Sequence, residues 1–194
     1  MCIRDRIDLF LLDKLEKAEL TFSSQAEREV LIRRAYLDLT GLPPTPQAAQ
    51  SFVANDDPAA YEDLIDQLLA MPQYGERWGR HWLDAAGYAD SEGQADADVE
   101  RPWAYFYRDY VVKSFNQGKP YDQFIQEQLA GDELIGSQIA DMTAEQVEML
   151  AGTGYLRMVA DGTGSGTGDD EGRNAVVSDT LKMVTSSLTG LTVG

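Results

Sequence analysis

Residues 74–90 read YGERWGRHWLDAAGYAD, and this stretch sets the fold expectation. On a helix it sorts into two faces. Tyr74, Trp78, Trp82, Ala85 and Ala89 fall on one side, which predicts a core-facing aromatic stripe. Arg77, Arg80, His81, Asp84 and Tyr88 fall within a narrow arc on the other. Two arginines, the only histidine, an aspartate and a tyrosine in one arc form the candidate functional seam. Its expected partners are Arg108 and Asp109 of the next long helix. Arg80 and Asp84 have the i,i+4 spacing of a helical ion pair. The stripe supports two readings. One is a buried polar site with His81 as ligand or base and Arg77 as an anion clamp. The other is an internal salt-bridge network serving structure alone.

Outward from this stretch, helical periodicity dominates in both directions. Ile7, Phe10, Leu11 and Leu15 fit one helical stripe. Ser24-Gln25-Ala26-Glu27 has the form of a capping box. The helix after it carries Leu31, Ile32, Tyr36 and Leu39 and stops at Gly41, before Pro43-Pro44. Thr45-Pro46 reads as an N-cap with proline at the first helical position, and Asp57-Pro58 repeats the device. Tyr61, Leu64, Ile65, Leu68 and Leu69 form the cleanest amphipathic stripe. Pro72 opens the quoted helix and Pro102 the next, Trp103–Phe115. Pro120 opens a third, carrying Tyr121, Phe124, Ile125 and Leu129, with its end expected at Gly131. Thr143–Leu150 is a short helix with Gln146 at the capping-box position. Val177, Leu181, Val184 and Leu188 carry the last stripe. Leu156–Ala160 is the one candidate strand. The expected fold is therefore all-α, an irregular multi-helix domain with at most one short β element. Polar loops at Ser91–Glu100 and Asp161–Gly172 interrupt it.

The 194 residues suit one domain with a sizeable core, and 43% hydrophobic content is ordinary for a globular chain. The formal net charge of −17 argues against nucleic acid or an anionic membrane as partner. No apolar run reaches membrane-spanning length. The opening residues MCIRDR, 1–6, look like a translated sequencing adapter, so the expected domain is 7–194, truncated at both ends. On that reading Cys2, the only cysteine, is foreign.

The remaining patterns are weak. The acidic loop offers Asp90, Glu92, Asp96, Asp98 and Glu100 as oxygen ligands for Ca²⁺, but lacks the turn glycine and distant glutamate of an EF-hand. A solvated acidic loop is the plainer reading. Gly162–Gly168 alternates glycine with Thr and Ser. It satisfies neither phosphate-loop pattern, and Asp169, Asp170 and Glu171 would repel phosphate. One histidine and no native cysteine leave no Cys/His zinc site and no Cys nucleophile. No GxSxG elbow is present for Ser-His-Asp catalysis. Acids are abundant enough for glycosidase chemistry, but nothing selects a pair. Tyr and Trp near acidic groups suit sugar stacking and a helical core equally.

Several blocks together carry a resemblance: LIRRAYLDLTGLPPTP (Leu31–Pro46), YGERWGRHWLDAAGYADSEG (Tyr74–Gly93), RPWAYFYRDYVV (Arg101–Val112), FNQGKPYDQFIQEQLAGD (Phe115–Asp132) and SLTGLTVG (Ser187–Gly194). The chain resembles the conserved domain of unknown function of planctomycete cytochrome C-type multidomain proteins. It departs from the family pattern at Gly87, where Arg is commoner, and at Trp103, Phe106 and Asp161–Arg173. In that family a segment like LTGLTVG runs into a CxxCH motif, the attachment signal for covalent haem. The resemblance implies an extracytoplasmic, redox-associated protein carrying haem c at full length, with no cofactor held by these 194 residues. Electron transfer or an uncharacterised oxidoreductase activity is the function it suggests, with a redox partner. A non-catalytic binding or scaffold domain, for polysaccharide, is the rival class, and a hydrolase using acidic residues is a third.

Overall fold

A computed structural model describes residues 3–92, 98–136, 141–160 and 170–192. It is all-α, as the periodicity predicts: nine α-helices among the described residues, and no strand. They are α1 (Ile3–Lys17), α2 (Arg28–Leu39), α3 (Pro46–Val53), α4 (Ala60–Leu69), α5 (Pro72–Ala85), α6 (Ala104–Asn116), α7 (Tyr121–Ile135), α8 (Ala144–Gly152) and α9 (Asp170–Thr189). The sole β feature described is an isolated antiparallel bridge, Ser91 to Glu100.

Several helix ends follow from local chemistry. The Thr45 side chain accepts the Ala48 N–H at 3.2 Å with Pro46 behind it. Thr143 and Gln146 form a complete capping box at α8. The box expected at Ser24–Glu27 does not form. Instead, the Arg28 guanidinium crosses to the carbonyls of Phe52 and Asn55, at 2.7 and 2.6 Å, and α2 begins there. Helix α5 ends in a Schellman motif: Gly87 has φ +70° and the Tyr88 N–H returns to the Leu83 carbonyl at 2.9 Å. Helix α6 ends the same way at Gly118, with Lys119 N–H bonded to the Ser114 carbonyl.

Two cores result. Helices α2, α3 and α4 enclose Ile32, Ala35, Phe52, Ala60, Leu64 and Leu68. The larger core gathers Leu83, Ala86, Tyr107, Tyr110, Val111, Phe124, Tyr155 and Met158 from α5, α6, α7 and the turn after α8. Helix α5 touches both α2 and α6. Helix α9 lies on the second core through Met183 and Val184. Ile7, Leu9, Phe10 and Leu11 of α1 are exposed.

Two local expectations are corrected. Leu156–Ala160 is no strand: Thr153–Arg157 is a 3-10 turn that carries Tyr155 fully into the core. A short apolar run cannot by itself distinguish these outcomes. Gly131 does not end α7. The helix bends at Ala130 (φ −146°, ψ 27°) and continues to Ile135. Gly131 sits so close to α8 that a Cβ there would lie 2.4 Å from the Met149 carbonyl oxygen.

Candidate functional site

The seam predicted along α5 does not face inward. The buried face of this helix is Gly75, Gly79 and Leu83, continued by Ala86, with Trp82 partly buried beside it. It lies about one residue round from the predicted aromatic stripe, since successive helical residues are about 100° apart. Trp78 is 38% exposed, and Ala85 and Ala89 are exposed. The glycines explain the rotation. With no side chains at 75 and 79, α6 approaches the α5 backbone directly. The Gly75 N–H is held by the Asn116 Oδ1 at 2.8 Å, and Asn116 Nδ2 donates to the Pro72 carbonyl.

The seam residues therefore separate. Arg80 and Asp84 form the expected i,i+4 pair, loosely at 3.8 Å, with side chains 72% and 69% exposed. His81 is exposed and packs edge-on against Trp78. The Arg77 stem passes Gly41, which has φ +72° and where a Cβ would lie 3.1 Å from the Arg77 Cδ. Arg108 pairs with its own neighbour Asp109 at 2.9 Å. Tyr88 alone approaches that pair. Having left the helix beyond Gly87, it donates to Asp90 Oδ1 at 2.5 Å. Burial, then the Asp90 carboxylate, pushes its phenol up to about 12.

The organised polar chemistry lies deeper. Trp82 Nε1 donates to the Tyr107 Oη and the Gln128 Oε1, each at 2.9 Å, and the Tyr107 hydroxyl donates to the same Gln128 oxygen at 2.7 Å. Gln128 is wholly buried, and its Nε2 reaches the Phe124 carbonyl. Beside it, Glu127 accepts from Tyr110, Lys119 and Gln123. Burial pushes the Glu127 carboxyl up, but these three donors outweigh it and hold the group below its ordinary range. Burial drives the Tyr107 and Tyr110 phenols well above theirs. No buried side-chain polar atom lacks a partner among the described residues. Such a fully satisfied network rigidifies the core.

A cleft of about 440 Å³ opens between the start of α6 and the end of α8. Its base is a salt bridge. Arg101 Nε and one terminal nitrogen donate to the two Glu92 oxygens at 2.9 and 2.7 Å, with both side chains largely buried. The same guanidinium reaches the carbonyls of Met158 and Val159 at 3.1 and 2.8 Å. Trp103 and Phe106 line one side, 22° apart in plane with centroids 6.1 Å apart, and Tyr105, outside the lining, stacks on Phe106 at 4.4 Å. Trp103 is 69% exposed. Glu100, Thr153 and Arg157 complete the rim.

The acidic loop does not assemble a cation site among the described residues, where no three His, Cys, Asp or Glu converge. Asp90 and Glu92 are engaged by Tyr88 and Arg101, Asp98 and Glu100 lie at the loop's end, and Asp96 lies outside the described residues. The Gly162–Gly168 run also lies outside them. Covalent haem needs two thiols and an axial histidine. The described residues contain no cysteine, and His81 sits on the solvent face of α5, so they do not fit that group.

A family model described as "PSCyt2: Protein of unknown function (DUF1549)" matches residues 6–194. The chain belongs to the PSCyt2 family. No curated protein and no solved structure matches it. No described helix of this PSCyt2 domain is long and apolar enough to cross a membrane. The domain's cleft escaped the sequence reading because Arg101 meets partners nearly 60 residues away. The local sequence signal is the Arg101-Pro102-Trp103 lead into α6. The Gly75/Gly79 contact did leave a signal, a small-x-x-x-small spacing inside the quoted stretch.

Proposed function

We propose that this PSCyt2 domain is a non-catalytic binding domain of an exported multidomain protein whose other segments carry haem c, and that it takes a polysaccharide in the cleft beside Trp103. The exposed Trp103 indole on its Phe106 and Tyr105 backing carries this reading. A large exposed aromatic patch beside a cleft marks an interaction surface. A flat apolar face suits the C–H face of a pyranose, and Glu100, Thr153 and Arg157 lie where hydroxyls would need partners. The cleft's Glu92 is held by two Arg101 nitrogens, which supports binding over acid catalysis. Export and haem rest on the sequence blocks of the resemblance. Electron transfer would then belong to the haem-bearing segments.

Titration calorimetry against a panel of soluble plant, algal and bacterial oligosaccharides tests the binding reading. At least one should bind saturably, and Trp103→Ala should weaken it about tenfold with an unchanged circular dichroism spectrum. Binding indifferent to Trp103→Ala, or none across the panel, would refute it. Recovering the flanking gene tests the rest: an export signal and a CxxCH motif are expected.

A further inference from the structure

The charged side chains lining the cleft beside Trp103 are Glu92, Glu100, Arg101 and Arg157, so its carboxylates balance its guanidinium groups. Arg101 is spent inside the fold: its guanidinium nitrogens reach both Glu92 oxygens and the carbonyls of Met158 and Val159. An arginine takes a carboxylate or sulfate best through a two-pronged fork, and Glu92 already fills that fork. Arg157 also has a partner within the chain. A helix start can hold an anion through its N–H groups. At the start of α6, however, Pro102 has no N–H, and the Ala104 and Phe106 N–H groups return to the Arg101 and Trp103 carbonyls at 3.0 and 3.1 Å.

The approach to the cleft is acidic. The loop leading to Arg101 carries Asp90, Glu92, Asp98 and Glu100 among the described residues, and Asp98 and Glu100 are exposed. The screening length is about 8 Å at physiological salt, so charges this close to a ligand outweigh those across the domain. The chain's net charge of −17 has the same sign. A uronate or sulfate group seated over Trp103 would leave water with no guanidinium fork to receive it, and an unpaired charge is costly to bury. A sugar hydroxyl needs only an acceptor for its proton. The Glu100 carboxylate is one. The Thr153 hydroxyl oxygen is another, because its own proton goes to the Leu150 carbonyl at 2.6 Å.

We infer that the Trp103 cleft takes a polysaccharide of neutral sugars and rejects those that carry uronate or sulfate groups. The inference rests on the polysaccharide reading above and adds the chemical class of the ligand.

The test is titration calorimetry on the full chain with cellohexaose, laminarihexaose, mannohexaose and galactohexaose, each as such and after oxidation of its primary hydroxyls to carboxylates. Hexagalacturonate and hexaguluronate complete the acidic set. At least one neutral hexaose should bind, and Trp103→Ala should weaken it about tenfold. Its oxidised form should bind at least about tenfold more weakly at about 20 mM salt, where like charges are little screened. That deficit should shrink to about threefold or less at about 0.5 M salt, where the screening length is under about 5 Å. A deficit indifferent to salt would mean a lost hydroxyl contact rather than a repelled charge, and would overturn the inference. An acidic hexamer that binds as tightly as the best neutral one, and loses affinity with Trp103→Ala, would overturn it while leaving the polysaccharide reading in place. The absence of saturable binding in both sets would overturn the two together.

Discussion

Gly75 and Gly79 lie one turn apart on the same face of α5, yet alanine should act oppositely at the two. A Cβ at Gly75 would stand 2.4 Å from the Val112 carbonyl oxygen and 2.6 Å from the Asn116 amide. The carbonyl belongs to the α6 ladder and cannot turn aside, so the helices must part. Overpacking of this kind costs about 1–3 kcal/mol. Parting also strains the Asn116 clamp on Gly75 and Pro72, two hydrogen bonds worth about 0.5–1.5 kcal/mol each. Alanine's helix preference returns about 1 kcal/mol. The net expectation for Gly75→Ala is a loss of about 2–3 kcal/mol. At Gly79 the nearest atom to a new Cβ is a Val111 methyl at 3.4 Å, ordinary contact. Gly79→Ala should be neutral or up to about 1 kcal/mol stabilising. Urea unfolding followed by circular dichroism measures both, with the slope checked for constancy. Equal effects at the two positions would refute the proposed α5–α6 contact.

Other predictions use the same assay. Trp82→Ala should cost about 3–5 kcal/mol, and Trp82→Phe, which keeps a ring but removes the indole donor, about 1–2 kcal/mol; losses below about 1 kcal/mol in both would mean that the Tyr107–Gln128 network contributes nothing. Arg101→Lys should cost about 1–3 kcal/mol, because one ammonium cannot reach both Glu92 oxygens and two carbonyls. Glu127 has a depressed folded-state pKa, so its stabilisation is present above its ordinary value of 4.5 and lost as pH falls through the folded value. The stability gap between the natural chain and Glu127→Gln should therefore shrink on acidification below that value, and a pH-independent gap would contradict this.

Much of the fold was legible because helix ends are local. Thr45-Pro46 and Thr143 with Gln146 cap as their residues dictate. The inner face of α5 was not, because hydrophobic periodicity gives no weight to glycine and the contact depends on what glycine lacks. Tyr88 was placed in the seam by extending α5 through Gly87, whose positive φ ends it. The seam itself was a correct wheel read as facing the wrong medium: Arg80, His81 and Asp84 share a face, and that face meets water. The cleft depends on pairing Glu92 and residues 100–107 with 150–158, a long-range contact that no local pattern encodes.

The neck at Ser91 and Glu100 separates the length of its loop from the register of the helices. Two backbone hydrogen bonds make the bridge and hold it shut: the Glu92 N–H to the Val99 carbonyl at 2.9 Å, and the Arg101 N–H to the Asp90 carbonyl at 2.8 Å. Closure entropy grows slowly with length, by about 0.6 kcal/mol per doubling. With its two posts fixed, residues added between them should cost little while the helical scaffold keeps its register.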